Sequence, residues 1–469
     1  MNLLAHSYYL RYDAKQLARM RPYPPLSTLL AAAVLRERGH EVALFDAMLA
    51  SGVEEFDASL DAHAPRVVAI VEDSFNFLTK MCTLRMRDAA LYMVAAARER
   101  GCRVVVSGSD ATDQPALYLD AGADAILLGD AEAGLAEVVA AWSRDPGAGL
   151  ADVAGLALRG PAGRVVRTAA RPSLRDLDAL PLPAWDLVDV GAYRSAWLGA
   201  HGRFSWNAVS SRGCPFGCNW CAKPIFGRRY AQRSPASMAE EMRRLKEAVG
   251  PDHLWFADDI FGLTADWVER FSAEVTKRDA RIPFMIQSRA DLLREPAVAA
   301  LAAAGVEEVW MGVESGSQRI LDAMDKGTHL SEIREATRVL KAHGVRACWF
   351  IQLGYPTETW HDLLLTRDLI RSERPDEIGV SVAYPLPGTK FYHAVRAQLG
   401  AKRNWDDTDD LAMLFQGTYT TPFYRRIRDV LHHEVTEGGG SEREWLELLR
   451  DEPAHRSPEP TIAAMVGSA

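Results

Sequence analysis

The 469-residue sequence lacks the features that would point to a nucleic-acid-binding or membrane protein. Its 54 lysines and arginines are outnumbered by 63 aspartates and glutamates, which gives a formal net charge of −9. A nucleic-acid partner requires a basic surface, so we expect none. No apolar run approaches the length of a membrane span. The first residues, Met1–His6, show no basic segment followed by an apolar core, and we therefore expect no signal peptide.

Cysteine is also scarce, with six in the whole chain. Three of them, Cys82, Cys102 and Cys348, are scattered in or near apolar segments. Isolated thiols of this kind are typical of the reduced interior of a cytoplasmic protein, so we predict that location. The apolar fraction of 48% and the charged fraction of 25% are ordinary for a globular protein with two or three domains.

The other three cysteines stand together in Ser211-Arg-Gly-Cys-Pro-Phe-Gly-Cys-Asn-Trp-Cys221, with the spacing C-x3-C-x2-C. Three thiolates on one loop can hold three irons of a [4Fe-4S] cluster and leave the fourth iron open to a ligand. The alternatives are a zinc knuckle or unrelated core cysteines, but zinc sites usually have a second cysteine pair or a Cys/His set, and none lies nearby. We therefore predict a cluster bound by Cys214, Cys218 and Cys221. Gly213 would let the backbone wrap tightly around it.

Short apolar strand patterns alternate with helical patterns over the first 143 residues. The strand patterns are Asn2–His6, Glu41–Phe45, Arg66–Val71, Cys102–Val106 and Ala123–Leu128. This alternation predicts an α/β domain with a doubly wound parallel sheet, in which ligands bind at the carboxyl ends of the strands. Two loops at that edge, Ser107–Ala111 and Gly129–Glu132, are rich in small residues, although the tight turns of any such sheet are too.

The rest of the chain divides into three predicted segments. Residues 144–204 form a linker, with a hairpin around Arg159–Gly163 and a proline-punctuated extended stretch. Strand–helix alternation resumes over residues 205–399 and predicts a partial (β/α)6 barrel, with the cysteine loop at the carboxyl ends of its strands. Residues 400–469 predict a small helical cap and a frayed tail. The six barrel strands are predicted at Asn207–Ser211, His253–Ala257, Pro283–Gln287, Glu307–Gly312, Arg346–Ile351 and Glu377–Ala383.

The cysteine motif, read as C-x3-C-x-aromatic-C with Trp220 as the aromatic residue, resembles the signature of radical S-adenosylmethionine (SAM) enzymes. The resemblance implies that the open iron of a [4Fe-4S] cluster binds the amine and the carboxylate of SAM. It also implies that an electron from the cluster cleaves SAM to a 5′-deoxyadenosyl radical. An external one-electron reductant of the flavodoxin or ferredoxin type is then required.

The polar residues at the ends of the barrel strands match the SAM-binding positions of that family, although each one alone is also typical of a solvated turn. The resemblance assigns Asp258 and Asp259 to the amine of SAM. It places Arg289 near the carboxylate and Glu314 with Ser315 at the ribose, contacts that suit the chemistry of these side chains. The full set that the resemblance implies is Phe216, Trp220, Asp258, Asp259, Gln287, Arg289, Glu314, Ser315, Gln352 and Pro385.

The N-terminal segment, with its small-residue loops, resembles the cobalamin-binding domain that precedes many radical SAM barrels. The resemblance implies a cobalamin site lined by Ser74, Asn76, Thr79, Ser107, Gly108, Ser109, Gly129 and Glu132. The motif D-x-H-x-x-G, which supplies a cobalt-ligating histidine in other cobalamin proteins, is missing after the first strand. His63 lies in a fragment of it, but we interpret His63 as a surface residue near a turn. We therefore predict cobalamin without a histidine ligand.

Together these resemblances imply a cobalamin-dependent radical SAM C-methyltransferase that acts on a small molecule. A methyl group would pass from SAM through methylcobalamin to an unactivated carbon, after the 5′-deoxyadenosyl radical has removed a hydrogen atom. An oxidative cyclase or a ring-rearranging enzyme with the same cofactors is an alternative, since the C-terminal stretch loosely resembles that of anaerobic porphyrin ring cyclases.

Two further alternatives fit less well. A tRNA methylthiotransferase would need a second cysteine triad in the N-terminal domain and a basic tail, whereas that domain has only Cys82 and Cys102. A cobalamin sensor without catalysis would have no use for the cysteine loop.

Overall fold

A computed structural model of the chain describes residues 1–76, 84–221, 225–399, 412–436 and 441–458. The chain forms two compact units. Unit 1 comprises Met1–Gly213 and Lys223–Asp258, and unit 2 comprises Cys214–Ala222 and Asp259–Ala469. No helix in the described ranges is long and apolar enough to cross a membrane.

Unit 1 contains a seven-stranded sheet in the order β2-β1-β3-β4-β5-β6-β7. Its strands are β1 Asn2–Ala5, β2 Val42–Phe45, β3 Val67–Val71, β4 Arg103–Ser107, β5 Ala125–Leu127, β6 Leu156–Arg159 and β7 Val165–Arg167. The first five are parallel, as predicted, and β6 and β7 add to them in antiparallel pairs. The predicted hairpin of the connecting segment is therefore an extension of this sheet. The strand order reverses at β1, so the switch point where such sheets bind ligands lies between β1 and β3.

The five parallel strands of this sheet are buried on both faces. Successive side chains of a strand point to opposite faces, and accordingly Leu3 and Ala5 belong to one hydrophobic core while Leu4 belongs to the other. This explains the nearly continuous apolar sequence of β3, which has no solvent-facing side. The helices of unit 1 are α1 Ala14–Arg19, α2 Leu26–Glu37, α3 Glu54–His63, α4 Leu84–Glu99, α5 Ser109–Asp113, α6 Pro115–Asp120, α7 Ala131–Arg144, α8 Val190–His201 and α9 Pro235–Ala248.

Helices cover the sheet on either side. Buried residues of α2 and α7 belong to one core, and buried residues of α3 and α4 belong to the other. His63 is exposed at the carboxyl end of α3, which agrees with its interpretation as a surface residue. Short 3-10 turns complete the unit at Leu10–Tyr12, Pro161–Gly163, Leu177–Ala179 and Trp185–Leu187.

All six strands predicted for the second α/β segment are present. In unit 1, β8 (Ser205–Ala208) pairs in parallel with β11 (His253–Phe256). A two-residue antiparallel ladder that the sequence pattern did not predict joins β9 (Ser211–Arg212) to β10 (Ala231–Gln232). This ladder holds the chain directly before the cysteine loop.

Unit 2 contains the other four strands, which are parallel and lie in the order β15-β14-β13-β12. They are β12 Phe284–Ser288, β13 Val306–Glu314, β14 Arg346–Leu353 and β15 Glu377–Val382. The helices of unit 2 are α10 Ala265–Lys277, α11 Glu295–Ala304, α12 Gln318–Ala323, α13 Leu330–Ala342, α14 Trp360–Glu373, α15 Lys390–Val395, α16 Thr421–Thr436 and α17 Glu442–His455, with 3-10 turns at Ala290–Leu292 and Arg396–Gln398. The last two helices confirm a helical C-terminal region, of which residues 400–411, 437–440 and 459–469 lie outside the described residues.

Candidate active site

The cysteine loop follows β9 and contains neither helix nor strand through Cys221. Cys218 is buried, Cys214 and Cys221 are partly exposed, and none of the three forms a disulfide. Gly213 opens the loop with a left-handed φ of 77°, and a Cβ at this position would overlap the carbonyl oxygen of Arg229. Only glycine fits there, as the sequence predicted. Three thiols on one irregular loop are a suitable donor set for an iron–sulfur cluster.

Asn219, between two of the cysteines, anchors the loop through every polar group that it has. Its backbone N–H donates to the carbonyl of Met324 at 3.0 Å, and its carbonyl accepts from the N–H of Phe391 at 3.2 Å. Its side-chain Nδ2 donates to the carbonyl of Ala323 at 2.8 Å, and Oδ1 accepts from the hydroxyl of Tyr355 at 2.8 Å. Sequence reasoning missed this residue, because all four partners lie more than a hundred positions away.

Trp220, the aromatic residue of the motif, is partly exposed and packs against the apolar cluster that includes Tyr355, Phe391 and Phe415. Its indole Nε1 is buried without a hydrogen-bond partner in the described part of the chain. The cysteine loop is therefore held by hydrogen bonds at Asn219 and by apolar packing at Trp220.

Arg289, at the carboxyl end of β12, lies beside the loop. Its guanidinium is centred 3.8 Å from the ring centroid of Phe216, and its Nη1 lies 4.0 Å from Cys218 Sγ. Asp291 accepts from Nε at 2.9 Å and from Nη2 at 3.2 Å. Metal-bound thiolates carry negative charge, which a buried cation beside the loop complements. The predicted residues Phe216 and Arg289 thus lie together at Cys218.

The remaining N–H groups of Arg289 bind the segment Lys326–Thr328. Nη1 donates to the carbonyl of Lys326 at 2.9 Å, and Nη2 donates to Thr328 Oγ1 at 3.0 Å. The carbonyl of Gly327 lies 3.4 Å from Nη2. With Asp291 and Cys218, all five N–H groups of the guanidinium have an acceptor.

Lys326 and Glu314 form a buried ion pair, with 2.8 Å between Nζ and Oε1, and each side chain is 6% exposed. Burial alone would lower the pKa of Lys326, but the carboxylate of Glu314 and the thiol group of Cys218 outweigh it and raise the pKa. A Cβ on Gly312 would lie 2.5 Å from Nζ and 2.6 Å from Oε1, so glycine makes room for this pair. Sequence reasoning identified Glu314 and missed Lys326.

Glu314 ends β13 with a φ of 65°, in the left-handed region that non-glycine residues rarely adopt. The pairing of β13 with β14 shifts register between Gly312 and Glu314. Strained backbone of this kind is concentrated at functional sites. Ser315 follows, is buried, and accepts from the N–H of Ser317 at 3.1 Å through Oγ.

The other SAM-site predictions in unit 2 fall at strand ends or beyond them. Gln287 is partly exposed in β12, and Pro385 is buried three residues after β15. Gln352 is buried near the end of β14, and its Oε1 has no hydrogen-bond partner among the described residues. Asp259 is exposed. These positions stay predictions, but all lie at the carboxyl ends of parallel strands, where barrel active sites occur.

Asp258 belongs to unit 1 and has a different environment from Asp259. It is buried, and its carboxylate accepts from the N–H of Ser210 at 3.1 Å, from Ser210 Oγ at 2.8 Å, and from the hydroxyl of Ser211. The structure therefore shows Asp258 bonded to the segment that leads into the cysteine loop.

In unit 1, the predicted cobalamin residues lie at the carboxyl edge of the seven-stranded sheet. Ser107 ends β4 and is buried, and Ser109 begins α5. A Cβ on Gly108 would lie 2.9 Å from Glu72 Cγ, and Gly129 has a left-handed φ of 86° with open space around its Cα. Gly129 therefore leaves room for a ligand against the backbone, whereas the side chain of Glu72 fills the space beside Gly108.

The loop after β3 supplies the other predicted contacts of that edge. Asn76 is buried, and Ser74 is buried with its N–H donating to Ser27 Oγ at 2.9 Å. Thr79 lies outside the described residues. The sheet edge thus combines small residues with buried polar groups, which fits a large ligand rich in amide groups.

Two buried acids, which open the loop after β3, lie at the same edge. Glu72 accepts from Ser7 Oγ at 2.6 Å, and Asp73 accepts from the N–H of Ser27 at 3.2 Å. Burial raises the pKa of both carboxyl groups. His6, directly after β1, is fully buried and has its Nε2 2.8 Å from Asp46 Oδ1. These residues surround the switch point between β1 and β3.

Glu132, predicted to bind cobalamin, accepts hydrogen bonds from Arg212 in the structure. Arg212 Nη2 donates to Glu132 Oε1 at 2.5 Å, and Nη1 donates to Asp130 Oδ1 at 2.7 Å. All three side chains are nearly buried, and the two carboxylates raise the pKa of Arg212 although burial opposes them. Phe75 and Phe226 stack on each other and flank the guanidinium at 5.6 and 5.3 Å.

A second group of metal-ligating side chains lies at the amino ends of the strands in unit 2, away from the cysteine loop in sequence. Glu308, Cys348 and Glu377 could approach one ion. Arg346 already donates to Glu308 and, at 3.1 Å, to Glu377. The guanidinium supplies the positive charge there, so this group is a structural ion network.

Comparison with known proteins identifies both segments. The model of the B12 binding domain matches residues 20–139, and the model of the radical SAM superfamily matches residues 209–370. An uncharacterized methyltransferase of Pyrococcus horikoshii is 27% identical over 395 residues, which is 81% of each chain. The hopanoid C-3 methylase of Methylococcus capsulatus is 27% identical over 80% of this chain and 69% of its own. The anaerobic magnesium-protoporphyrin IX monomethyl ester cyclase of Synechocystis is 26% identical over 79% of this chain and 72% of its own.

Solved structures confirm the fold. The radical SAM methyltransferase TsrM of Kitasatospora setae superposes with a TM-score of 0.68 at 20% identity, over 86% of this chain and 79% of its own. The cobalamin-dependent radical SAM enzyme OxsB superposes with a TM-score of 0.70 at 17% identity, over 97% of this chain and 70% of its own. The predicted fold class, an α/β sheet domain, a radical SAM domain and a helical C-terminal region, is thus confirmed. The chain therefore contains a B12-binding domain followed by a radical SAM domain.

Proposed function

We propose that this protein is a cobalamin-dependent radical SAM C-methyltransferase, which moves a methyl group from SAM to an unactivated carbon of a small molecule. One observation carries the proposal: a three-cysteine loop that leaves one iron open occurs in the same chain as a B12-binding domain. Relatives that span most of the chain are named as methyltransferases or methylases. None of the five described cysteines forms a disulfide, which agrees with a reducing cytoplasmic location.

The residues of unit 2 would hold the cluster and SAM. When bound, the cluster supplies the electron that cleaves SAM, and cobalamin supplies the carrier of the methyl group. Cys214, Cys218 and Cys221 would ligate the cluster, and Arg289 would lie beside the cluster at Cys218. An external one-electron reductant of the flavodoxin or ferredoxin type would supply the electron.

The strand ends of unit 2 would bind the rest of SAM. Glu314 and Ser315 would contact the ribose, since a carboxylate and a hydroxyl both accept from ribose hydroxyls. Oε1 of Gln352, which has no hydrogen-bond partner among the described residues, would contact the adenine together with the backbone around Trp220. A closed, dry site then keeps the radical away from water and side reactions.

Unit 1 would hold cobalamin without a histidine ligand. His6 is the histidine nearest the switch point along the chain, but it is fully buried, and its Nε2 already contacts Asp46 and the N–H of Ala47. The small residues Ser107 and Gly129 would allow the cofactor to approach the backbone.

Anaerobic reconstitution with iron, sulfide, hydroxocobalamin and SAM tests the proposal. With a low-potential reductant we expect 5′-deoxyadenosine, and with the right substrate a product heavier by one methyl group. Cys218→Ala should abolish 5′-deoxyadenosine formation, whereas the matched variant Cys348→Ala, which removes a buried thiol outside the loop, should retain it. SAM cleavage by Cys218→Ala would contradict the cluster assignment, and failure to retain cobalamin would contradict the methyltransferase assignment alone.

An oxidative cyclase is the second candidate, because three anaerobic magnesium-protoporphyrin IX monomethyl ester cyclases are 26–29% identical to the chain. Product mass separates the two. A cyclase product has lost hydrogen and gained no methyl group.

A further inference from the structure

We propose that Arg228 and Arg229 form the docking surface for the electron donor of the cluster, and that this donor is an acidic one-electron carrier protein. The inference rests on the proposed cluster at the cysteine loop and names the partner that the cluster requires. In each encounter the carrier loses one electron and the cluster gains it, so no bond breaks and no proton moves. The two arginines lie outside the cysteine motif and outside the predicted SAM and cobalamin sites.

The chain is acidic, but the stretch around the cysteine loop is basic. Residues 190–239 contain seven lysines and arginines and no aspartate or glutamate, although the whole chain has a net charge of −9. A local excess of positive charge on such a protein attracts an acidic partner to that place. The cations of the stretch are Arg194, Arg203, Arg212, Lys223, Arg228, Arg229 and Arg233.

The structure separates the cations of this stretch that serve the fold from those that face solvent. Arg212 and Arg233 form buried ion pairs. Arg194 donates to two backbone carbonyls. Lys223 lies outside the described residues. The exposed members are Arg203, Arg228 and Arg229.

Arg228 and Arg229 lie at the base of the cysteine loop. Arg228 ends a turn at residues 225–228, and β10 begins two residues after Arg229. The ladder between β9 and β10 brings this segment beside Gly213, where a Cβ would overlap the carbonyl oxygen of Arg229. Cys214 is the next residue of the chain. A carrier that docks on the two arginines is therefore placed beside the segment that enters the cluster loop.

The segment that Arg229 contacts adds little to this charge. Arg229 Nη1 donates to Ser173 Oγ at 3.3 Å. In the same segment Arg175 and Asp176 are both exposed, and their charges offset each other. The next acid, Asp178, accepts a hydrogen bond from the N–H of Ser234 at 2.9 Å. The positive charge of Arg228 and Arg229 thus outweighs that of the acids around them.

The exposure of the two arginines suits a protein partner. A small-molecule site is concave and buries most of its ligand, whereas these side chains are exposed beside a turn. Electron-transfer complexes are transient and have small interfaces, and opposite charges on the two surfaces steer their association. An acidic carrier is thus the partner whose charge and mode of contact match this surface.

Stopped-flow reduction of the reconstituted enzyme tests the proposal. The cluster is reduced anaerobically either by a reduced acidic flavodoxin or by photoreduced deazariboflavin, a small uncharged reductant, and the second-order rate constant is measured for each. Arg228→Gln and Arg229→Gln should each lower the rate constant for flavodoxin about 3-fold at low salt, and the double variant about 10-fold, because surface charges steer association. The rate constant for deazariboflavin should stay within about 2-fold. High salt, which screens exposed charges, should lower the wild-type rate with flavodoxin and reduce these differences.

Arg203→Gln is the matched control. It removes an exposed charge from the same acid-free stretch, but Arg203 precedes the amino end of β8, whereas the cysteine loop follows the carboxyl end of that strand. Its rate constants should equal those of the wild type. An equal loss in Arg203→Gln, or an unchanged flavodoxin rate in the double variant, would overturn the proposal.

Two further outcomes would also overturn it. Equal slowing of both reductants in the double variant would show a change in the cluster itself, and a wild-type flavodoxin rate that does not fall with salt would exclude electrostatic docking. If the double variant retains less iron than the wild type, this salt dependence decides alone. Because cluster reduction is measured directly, an enzyme whose cluster is reduced but that transfers no methyl group would refute the proposed function and leave this inference intact.

Discussion

The carboxyl edge of the sheet in unit 1 and the carboxyl ends of the strands in unit 2 have the same topology and opposite chemistry. In unit 1, buried acids dominate, and hydroxyl and backbone donors satisfy them, as Ser7 does for Glu72. In unit 2, two buried cations, Arg289 and Lys326, lie next to Cys218. Parallel strands place the residues that follow them at one edge in both cases.

The difference teaches that topology determines where a ligand binds, and side-chain charge determines which ligand. Cations suit thiolates, an anionic cluster and a carboxylate. Buried acids and hydroxyl groups suit a ligand that offers amide and hydroxyl donors, as the edge of cobalamin does. Each of the following variants removes one feature on which this contrast depends.

Removal of the cation of Arg212 should have the largest effect. Arg212→Met leaves Asp130 and Glu132 buried without a counter-charge, which should lower the free energy of unfolding by about 3–5 kcal/mol. The matched control is Arg36→Met, since Arg36 pairs with Asp186 at the surface and should contribute about 0–1 kcal/mol. Denaturant unfolding of both variants measures the difference, and similar losses would contradict the role of burial.

Gly213→Ala should cause the next largest loss of stability. Alanine would meet the carbonyl oxygen of Arg229 and adopt a left-handed φ, which should cost about 2–4 kcal/mol and reduce bound iron. Gly227→Ala is the matched control, because Gly227 has nearly the same φ of 68° but open space around its Cα. Gly227→Ala should lower the free energy of unfolding by only about 1–2 kcal/mol, the cost of a left-handed conformation for alanine. Equal costs would show that the backbone contact at Gly213 is unimportant.

The sequence predicted the features that depend on local pattern. Alternating strands and helices, the cysteine loop and the need for glycine at position 213 all follow from neighbouring residues. Asn219, Arg212 and Lys326 could not be predicted in this way. Each gets its role from partners far along the chain, such as Glu132 for Arg212, 80 positions away.

The same reason explains why two residues that were predicted to bind ligands form hydrogen bonds to other parts of the protein. Asp258 and Glu132 sit at strand ends, as their sequence positions indicate. Their hydrogen-bond partners, Ser210 with Ser211 and Arg212, are set by tertiary packing. A polar residue at a strand end can bind a ligand or a neighbouring segment, and no local pattern separates the two.

Asn219→Ala should have a smaller effect that is concentrated in unit 2. It removes the two side-chain hydrogen bonds to Ala323 and Tyr355, worth about 1–3 kcal/mol in a buried site. Because these bonds hold the loop between Cys218 and Cys221, we expect faster loss of iron to a chelator. Tyr355→Phe removes one of the two bonds and should lie between wild type and Asn219→Ala. Iron release as slow as in the wild type would contradict the anchoring role.

The last prediction concerns how stability changes with pH through Glu358, a buried acid of unit 2. Glu358 is buried and accepts a hydrogen bond from the N–H of Gly354 at 2.7 Å. Burial raises its pKa to about 8, so the folded protein holds a proton that the unfolded chain releases above pH 4.5.

Stability should therefore fall as pH rises from 4.5 to 8, by at most about 1.4 kcal/mol per pH unit from this group. The sign follows because the folded state binds more protons than the unfolded state in this window. Glu358→Gln, which cannot ionise, should flatten the pH dependence of the unfolding midpoint over this range, and Glu269→Gln at an exposed position should not. Identical pH profiles for wild type and Glu358→Gln would mean that Glu358 is ionised in the folded protein. In that case Glu358 would differ from Glu72 and Asp73, the buried acids of unit 1 whose pKa values are also raised by burial.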